Sequence, residues 1–311
     1  MGIPIFSVIK PGLFTTFQDE GRKSYQALGI PVSGAMDSFA HKAANILVGN
    51  RRNAAVLEVT ISGPELQVEN DAVISICGAN LSPKINGLKA PLWTSFPVKR
   101  GDILSFGKNV SGARSYISVA GEFEIPCMLG SQSTDTKSKF GRPLKKGDAI
   151  YRVALQSSFK NRQRIRPNDL LHYRDKVQLR VLLGPHLDCF SNDTISTFLK
   201  NEFIVSPHSD RMGYRLEGME VPHAKEPGIL SEAVSFGSIQ VPESGKPIIL
   251  MADRQTTGGY PILATVISVD LPLLAQAVPG TIIHFKETTV EEAQAAYRKR
   301  ETWFRILEKL K

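Results

Sequence analysis

Apolar residues in this chain recur mostly at every second position, in short runs bounded by Gly, Pro and Asn. The runs are Ala55 to Val59, Ala72 to Cys77, Asp102 to Phe106, Arg114 to Ala120, Val177 to Leu183, Lys246 to Ala252, Ile262 to Val269 and Thr281 to Phe285. Successive side chains of a strand point to opposite faces, so this spacing predicts half-buried β-strands joined by turns. Helical spacing is confined to three places. Asp37 or Ser38 can cap a helix whose apolar face is Phe39, Ala43, Ile46 and Leu47, ending near Gly49. Asp270 with Pro272 in the first turn predicts a short one. Thr289 and Glu292 form a capping box for a last helix with Ala293, Ala296, Tyr297, Phe304 and Leu307 on one side. The expected class is therefore mainly β, with a few short helices and a C-terminal helix.

Two segments are alike: Lys99 to Phe106 reads K-R-G-D-I-L-S-F and Val278 to Phe285 reads V-P-G-T-I-I-H-F, each a turn glycine followed by an alternating strand. At about 150 residues per domain, a chain of 311 residues is long enough for two cores, and the spacing of the two segments suits a duplicated β-rich domain. A chance match of two strand turns gives the same pattern. The stretch from Leu155 to Arg174 has poor periodicity, contains Pro167 and is dense in Arg and Asn. The expected organisation is an N-terminal β-rich domain over residues 1–155, a basic linker over 156–176 and a C-terminal β-rich domain with the terminal helix over 177–311.

Composition narrows the class without changing it. At 42% apolar and 22% charged residues the chain is globular, and 25 Gly with 19 Pro suit a fold rich in turns. The net charge of +8 invites a nucleic-acid reading until its location is examined. Between Lys137 and Arg180 there are thirteen Lys and Arg against three Asp, so the rest of the chain is close to neutral. The excess is local. It reads either as a docking surface for an acidic partner chain or as a solvated connector, and neither nucleic acid nor membrane is an expected partner. Cys77, Cys127 and Cys189 are odd in number and far apart, which provides no disulfide framework and suits a reducing compartment. No apolar run approaches the ~18 residues needed to span a bilayer, and the expected location is cytoplasmic.

The familiar short motifs of catalysis are missing: no phosphate loop, no dinucleotide fingerprint, no nucleophile elbow and no H-E-x-x-H zinc site. Three polar segments remain. Thr15 to Gln26 is followed by Ser33, Gly34, Ala35, Met36 and Asp37 ahead of the first helix, where free backbone N–H groups can favour an anion; equally, Asp37 can simply cap the helix. Ser209 to Arg215, with Glu232 and Gln240 downstream, puts Asp210 beside Arg211 and Arg215, a pair able to hold a carboxylate or phosphate or to make a surface ion pair. Met251 to Pro261 crowds Asp253, Arg254, Gln255, Thr256, Thr257 and Tyr260 around Gly258 and Gly259. A hairpin tip seldom needs so many polar types, so this segment is the strongest candidate for function.

Several of these stretches carry a resemblance. T-x-Q-D-x-G-R at Thr16 to Arg22, P-x-S-G-A-M-D at Pro31 to Asp37, L-G-S-x-S-T at Leu129 to Thr134 and G-R-P-L at Gly141 to Leu144 are joined by S-D-R-M-G-Y-R, S-I-Q-V-P at Ser238 to Pro242 and M-A-D-R-Q-T-T-G-G-Y-P. In these motifs the chain resembles the allophanate hydrolase subunit 2, or biotin-dependent carboxyltransferase, family. The resemblance implies two tandem cyclophilin-like β-barrels. It also implies a subunit of an ATP-dependent 5-oxoprolinase, active only in a complex that opens the lactam of 5-oxoproline to glutamate. The implied partners are the two other kinds of 5-oxoprolinase subunit, one KipI-like and one of the barrel-type LamB/YcsF kind; ATP with Mg would be bound by the complex, and no biotin would be attached to this chain. The alternatives it carries are a regulatory protein that sequesters a sporulation kinase inhibitor and a carboxyltransferase or allophanate-hydrolase-type subunit of urea metabolism.

Carried over residue by residue, the resemblance implies that Asp253 and Arg211 are catalytic, Asp253 orienting or deprotonating. Arg215 would share the substrate's anionic group with Arg211, while Gln255, Thr256, Thr257, Tyr260, Gln240 and Glu232 would line the substrate pocket and Ser33 and Asp37 would come from the other half. The chain departs from the family pattern at Glu122, where Gly is usual, at Gln132, where Arg or Lys is common, and in a short loop between Thr134 and Gly141.

Overall fold

The computed structural model describes residues 2–153, 163–224 and 228–309. The chain divides into two compact units, the first comprising Met1–Arg22, Ser33–His172 and Phe304–Lys311, the second Lys23–Val32 and Tyr173–Trp303. The linear boundaries expected from composition thus differ from this division at both exchanged segments.

In the first unit the strands form two sheets. One runs in the order Ala149–Arg152, Ile3–Lys10, Glu65–Val68, Ile103–Ser105, Lys84–Ile85, Leu88–Lys89. The other runs Phe14–Gln18, Val56–Thr60, Ser111–Val119, Ala72–Asn80, Ser95–Val98. Alternation does the sorting: Ile5, Leu66 and Leu104 from one sheet and Leu57, Val59, Ile74 and Ile117 from the other enter a single core. Helix α1 (Ser38–Leu47) starts where expected, with Asp37 Oδ1 accepting the Ala40 N–H at 2.8 Å. The end of the C-terminal helix belongs here too, because the Phe304 ring meets Phe39 of α1 at 5.5 Å and Glu308 pairs with Arg52 at 2.8 Å.

In the second unit seven strands close into a barrel, in the order Lys176–Leu183, Ile262–Val266, Ser238–Gln240, Ile248–Leu250, Gly213–Gly218, Glu202–Val205, Ile282–Glu287. Closure comes from the parallel pairing of Lys176–Leu183 with Ile282–Glu287; the other pairings are antiparallel. Helix α2 (Asn192–Lys200), which the apolar spacing did not predict, is capped by Ser191 and stacks Phe198 on Phe285 at 4.6 Å. Helix α3 (Leu271–Ala275) begins at Asp270, whose carboxylate goes not to the helix but to Arg180, at 2.7 and 2.9 Å. Helix α4 (Val290–Lys309) carries the expected capping box, Glu292 N–H to Thr289 Oγ1 at 3.3 Å and Thr289 N–H to Glu292 Oε2 at 3.4 Å.

The two similar segments match in hydrogen bonds as well as letters. Gly101 and Gly280 both have φ of +90°. Asp102 N–H donates to Lys99 O at 3.0 Å, and Thr281 N–H donates to Val278 O at 2.9 Å. Gly101 N–H donates to Val68 O and Gly280 N–H to Val205 O, each at 2.8 Å. Each turn is then closed by a side-chain acceptor: Lys99 N–H goes to Asp102 Oδ2 at 2.7 Å and Val278 N–H to Thr281 Oγ1 at 3.0 Å. The same turn has been built once in each unit.

The basic stretch is not a free connector over its described part. Lys160 and Arg162, with the rest of 154–162, lie outside the described residues. From Gln163 the backbone runs beside the first unit's sheet, with Ser95 N–H donating to Gln163 O at 2.9 Å and Ile165 N–H to Trp93 O at 3.0 Å. Ile165 is buried there, which ties the segment down, and Lys176 already begins the barrel. Arg142 and Arg180 spend their charge on Asp148 and Asp270. No described helix is long and apolar enough to cross a membrane.

Candidate functional site

The polar loop from Met251 grows out of the barrel strand Ile248–Leu250, which lies between Gly213–Gly218 and Ser238–Gln240. Past the strand the backbone keeps two contacts with the preceding turn, Met251 N–H to Met212 O and Asp253 N–H to Arg211 O, both 2.8 Å. Those contacts bring Asp253 alongside Arg211. The side chains then meet as a fork, Arg211 Nε to Asp253 Oδ2 at 2.8 Å and Nη2 to Oδ1 at 2.9 Å, with only 10% and 12% of the two side chains exposed. A planar guanidinium and a carboxylate satisfy one another in this geometry. Arg211 and Asp253 are thus brought together as partners, and both of Asp253's oxygens accept from Arg211. Arg215, two residues along the outward face of Gly213–Gly218, is exposed, with its backbone N–H on Ser209 Oγ at 3.1 Å.

Beyond Arg254 the loop returns as a two-residue ladder, Thr257–Gly258 against Glu232–Ala233, and Val234 N–H donates to Thr256 O at 3.2 Å. Gln240, buried at the end of its strand, reaches this ladder with its carboxamide. Its Nε2 donates to Tyr260 O at 3.3 Å and its Oε1 accepts from Gln255 Nε2 at 3.3 Å. Gly258 is needed for that approach: a Cβ there would lie 2.5 Å from Gln240 Nε2. Thr257 and Tyr260 are exposed beside it and Thr256 is half-buried.

One member of the cluster escaped the sequence reading. His186 Nδ1 accepts the Ile262 N–H at 3.1 Å, and its Nε2 lies 3.5 Å from Glu232 Oε1. An accepting Nδ1 leaves the ring proton of a neutral imidazole on Nε2, facing the carboxylate. His186 sits just after the strand Lys176–Leu183, in a loop without metal-ligand spacing, so nothing in the sequence linked it to Glu232.

Ser33 and Asp37 belong to the first unit and are engaged there. Ser33 Oγ donates to Thr134 O at 3.2 Å, and Asp37 caps α1 while its N–H donates to Tyr116 Oη at 2.8 Å. The anion reading of this helix start thus meets a carboxylate already in the cap. The neighbouring motifs interlock around Asp19, whose Oδ1 accepts from Ser131 Oγ at 2.7 Å, Ser133 Oγ at 2.5 Å and Gly21 N–H at 2.8 Å, and whose Oδ2 accepts from Gln132 N–H at 2.7 Å. Burial by itself would raise the Asp19 carboxyl, but these hydrogen bonds together outweigh it and hold the group below its ordinary value. Arg22 donates to Ser133 O and lies over the Phe140 ring at 4.3 Å, inside the shortened loop. The two altered positions are also occupied: Glu122 takes a fork from Arg51 at 2.9 and 2.6 Å, and Gln132 Nε2 donates to Ile125 O at 2.9 Å.

Among the described residues no three His, Cys, Asp or Glu side chains converge as a metal-binding set. The loop and its neighbours gather hydrogen-bonding groups of several kinds: two carboxamides, hydroxyls, the Arg254 guanidinium and one imidazole beside a carboxylate.

Comparison with known proteins identifies the family and the fold. The model of the carboxyltransferase domain, subdomain A and B, matches residues 28–287. The C subunit of 5-oxoprolinase from Escherichia coli is 35% identical over 97% of this chain and 97% of its own length. Among solved structures, TTHA0988 is 36% identical with a TM-score of 0.84, over 91% of this chain and 56% of that one. The urea amidolyase of K. lactis is 29% identical with a TM-score of 0.93, over 99% of this chain and 20% of that one. The chain therefore spans about half of TTHA0988 and a fifth of the amidolyase. With a family model covering most of its length and a full-length relative above 30% identity, this chain belongs to the carboxyltransferase domain family, subdomains A and B.

Proposed function

We infer that the chain acts as one component of an ATP-dependent 5-oxoprolinase, opening the lactam of 5-oxoproline to glutamate together with a KipI-like and a LamB/YcsF-like component. The observation that carries this reading is the match to the E. coli 5-oxoprolinase component, which runs over 97% of both chains, whereas the urea amidolyase is matched over 20% of its length. The loop chemistry supports it. A lactam presents a carbonyl oxygen and an N–H side by side, and a carboxamide has the complementary donor and acceptor. The Gln240 to Gln255 bond, at 3.3 Å, is long for an N–H···O contact, so exchanging it for a lactam amide loses little. ATP would supply the phosphoryl group that turns the unreactive lactam carbonyl into one that water can attack, and ATP with its Mg is assigned to the complex. Arg211 and Asp253 position the loop, Gln240 and Gln255 recognise the amide, and Glu232 with His186 are the groups available to hold or move a proton at the imidazole Nε2.

Coexpression with the KipI-like and LamB/YcsF-like components, followed by measurement of ATP-dependent glutamate release from 5-oxoproline, tests the reading. Release that is lost on omitting this chain is the expected result; an intact complex that releases none overturns it. A second reading, a carboxyltransferase of a urea-metabolising system served by biotin on another chain, is favoured by the TM-score of 0.93 to the urea amidolyase. Biotin-dependent carboxylation of urea by the reconstituted proteins, in place of glutamate release, would establish it.

A further inference from the structure

Three arginines stand in or beside the candidate loop, and their situations differ. Arg211 is neutralised by Asp253, and Arg215 is exposed to water. Arg254 is 7% exposed, yet among the described residues no carboxylate lies within ion-pair distance of it. Its Nε donates to Val234 O at 3.2 Å and its Nη1 to Met251 O at 3.4 Å, while the Phe236 ring centroid is 5.9 Å from Cζ. Among the described residues Nη2 makes no hydrogen bond beside these two.

Burying a cation is expensive unless an opposite charge or a full set of acceptors compensates it. Two long carbonyl bonds and a distant ring are a weak set, and desolvation pushes the guanidinium down to about 10. A structural strut between Val234 and Met251 needs only two N–H donors, which an uncharged side chain supplies without that cost. The charge itself calls for an anion. The carbonyl bonds fix the plane of the guanidinium and hold the unpaired edge in place, in the same segment as the Thr256 and Thr257 hydroxyls, which have no hydrogen-bond partner among the described residues. An anion arriving at that edge meets a group already oriented and already stripped of most of its water, which is the condition under which a charge-assisted hydrogen bond is strong.

We propose that Arg254 is the anion-binding group of this unit, taking a carboxylate or phosphate oxyanion at its unpaired Nη2 edge. The role expected of Arg211 and Arg215 thereby passes to Arg254. In the 5-oxoprolinase reading, on which this assignment of the ligand rests, the oxyanion is the substrate's carboxylate or the phosphoryl group on its way to the lactam oxygen.

The test uses the full chain labelled with 15N in its arginines, whose Arg254 Nε signal is identified by its absence in Arg254→Lys. Titration with 5-oxoproline, acetate and inorganic phosphate is expected to shift that signal saturably, and 2-pyrrolidinone, the same lactam without a carboxylate, is expected not to. A response to the two carboxylates alone assigns the site to substrate, and a response to phosphate alone assigns it to the phosphoryl group. Arg254→Gln is expected to weaken the binding by at least about tenfold, with Lys246→Gln unchanged. A wild-type signal that responds to none of the three anions overturns the proposal, as does a folded Arg254→Gln that binds them with unchanged affinity. If Arg254→Gln does not fold, the wild-type titration decides by itself. Because the readout is binding, anion capture without glutamate release by the complex would sink the 5-oxoprolinase reading and leave the site standing, and release without anion capture would do the reverse.

Discussion

Arg211 and Asp253 are joined twice, by a two-pronged side-chain fork at 2.8 and 2.9 Å and by the Asp253 N–H on the Arg211 carbonyl at 2.8 Å. The backbone bond sets the two residues opposite one another, and the fork then uses that placement. The pair is mostly buried, so removing one member strands the other charge. Asp253→Asn and Arg211→Gln are each expected to cost about 3 kcal/mol, and the double substitution less than the sum. Urea unfolding of the four proteins measures this; strictly additive losses would show that the fork contributes nothing of its own.

If the 5-oxoprolinase reading holds, Gly258→Ala abolishes glutamate release by the reconstituted complex while leaving the barrel folded. The new Cβ would lie 2.5 Å from Gln240 Nε2, so the Gln240 carboxamide must leave Tyr260 and Gln255. Overpacking of this kind costs about 1–3 kcal/mol, tolerable for a domain of this size. Thermal unfolding and turnover measured side by side check it, and full activity would remove Gln240 from the site.

His186 gives a graded series. His186→Ala leaves the buried Ile262 N–H without its acceptor, which costs about 1–3 kcal/mol. His186→Asn can return an oxygen near the Nδ1 position and should recover most of that stability, but neither variant restores the group facing Glu232. Equal stability of the Ala and Asn proteins would contradict the assigned acceptor.

Asp19 should govern part of the acid limb of stability. Its carboxyl is held below the ordinary value of 3.8, so the unfolded chain takes up the proton more readily than the folded one. The stabilisation is complete above 3.8 and is lost as pH falls below it through the lower folded value. Asp19→Asn is expected to be less stable at neutral pH and to lose less on acidification. Parallel acid limbs for the two proteins would argue against it.

Gly101→Ala and Gly280→Ala provide a test of the repeated turn. Both glycines have φ of +90° and open space where a Cβ would stand, so the only cost is backbone strain, about 1–2 kcal/mol at each. Similar losses at the two sites are expected. A large loss at one and none at the other would mean that the two turns are alike only in outline.

Much of this fold can be read from residue spacing because strands and caps are local. Asp37, Thr289 and the alternation from Val177 to Leu183 each act within a few residues, and each is found as the spacing predicts. The short helix Asn192–Lys200 was missed because its apolar side is supplied chiefly by Phe198, whose partners Phe203 and Phe285 come from two separate strands. The site divides in the same way. The crowding of polar types from Asp253 to Tyr260 is visible in one stretch, whereas His186 joins it across 76 positions through the Ile262 amide. Composition marks the basic segment but not its attachment, since Gln163 and Ile165 are held through backbone groups that any sequence carries.

The web around Asp19 bears on how relatives of this chain are sorted. T-x-Q-D-x-G-R and L-G-S-x-S-T satisfy one another, carboxylate to hydroxyl and amide to carbonyl, so a protein bearing both advertises a scaffold that can close on itself. Motifs that close a scaffold carry no information by themselves on whether the substrate is a lactam or a urea. What would separate the two trades is the lettering around Gln240, Arg254 and Gln255, and a classification of these proteins by substrate should be weighted there.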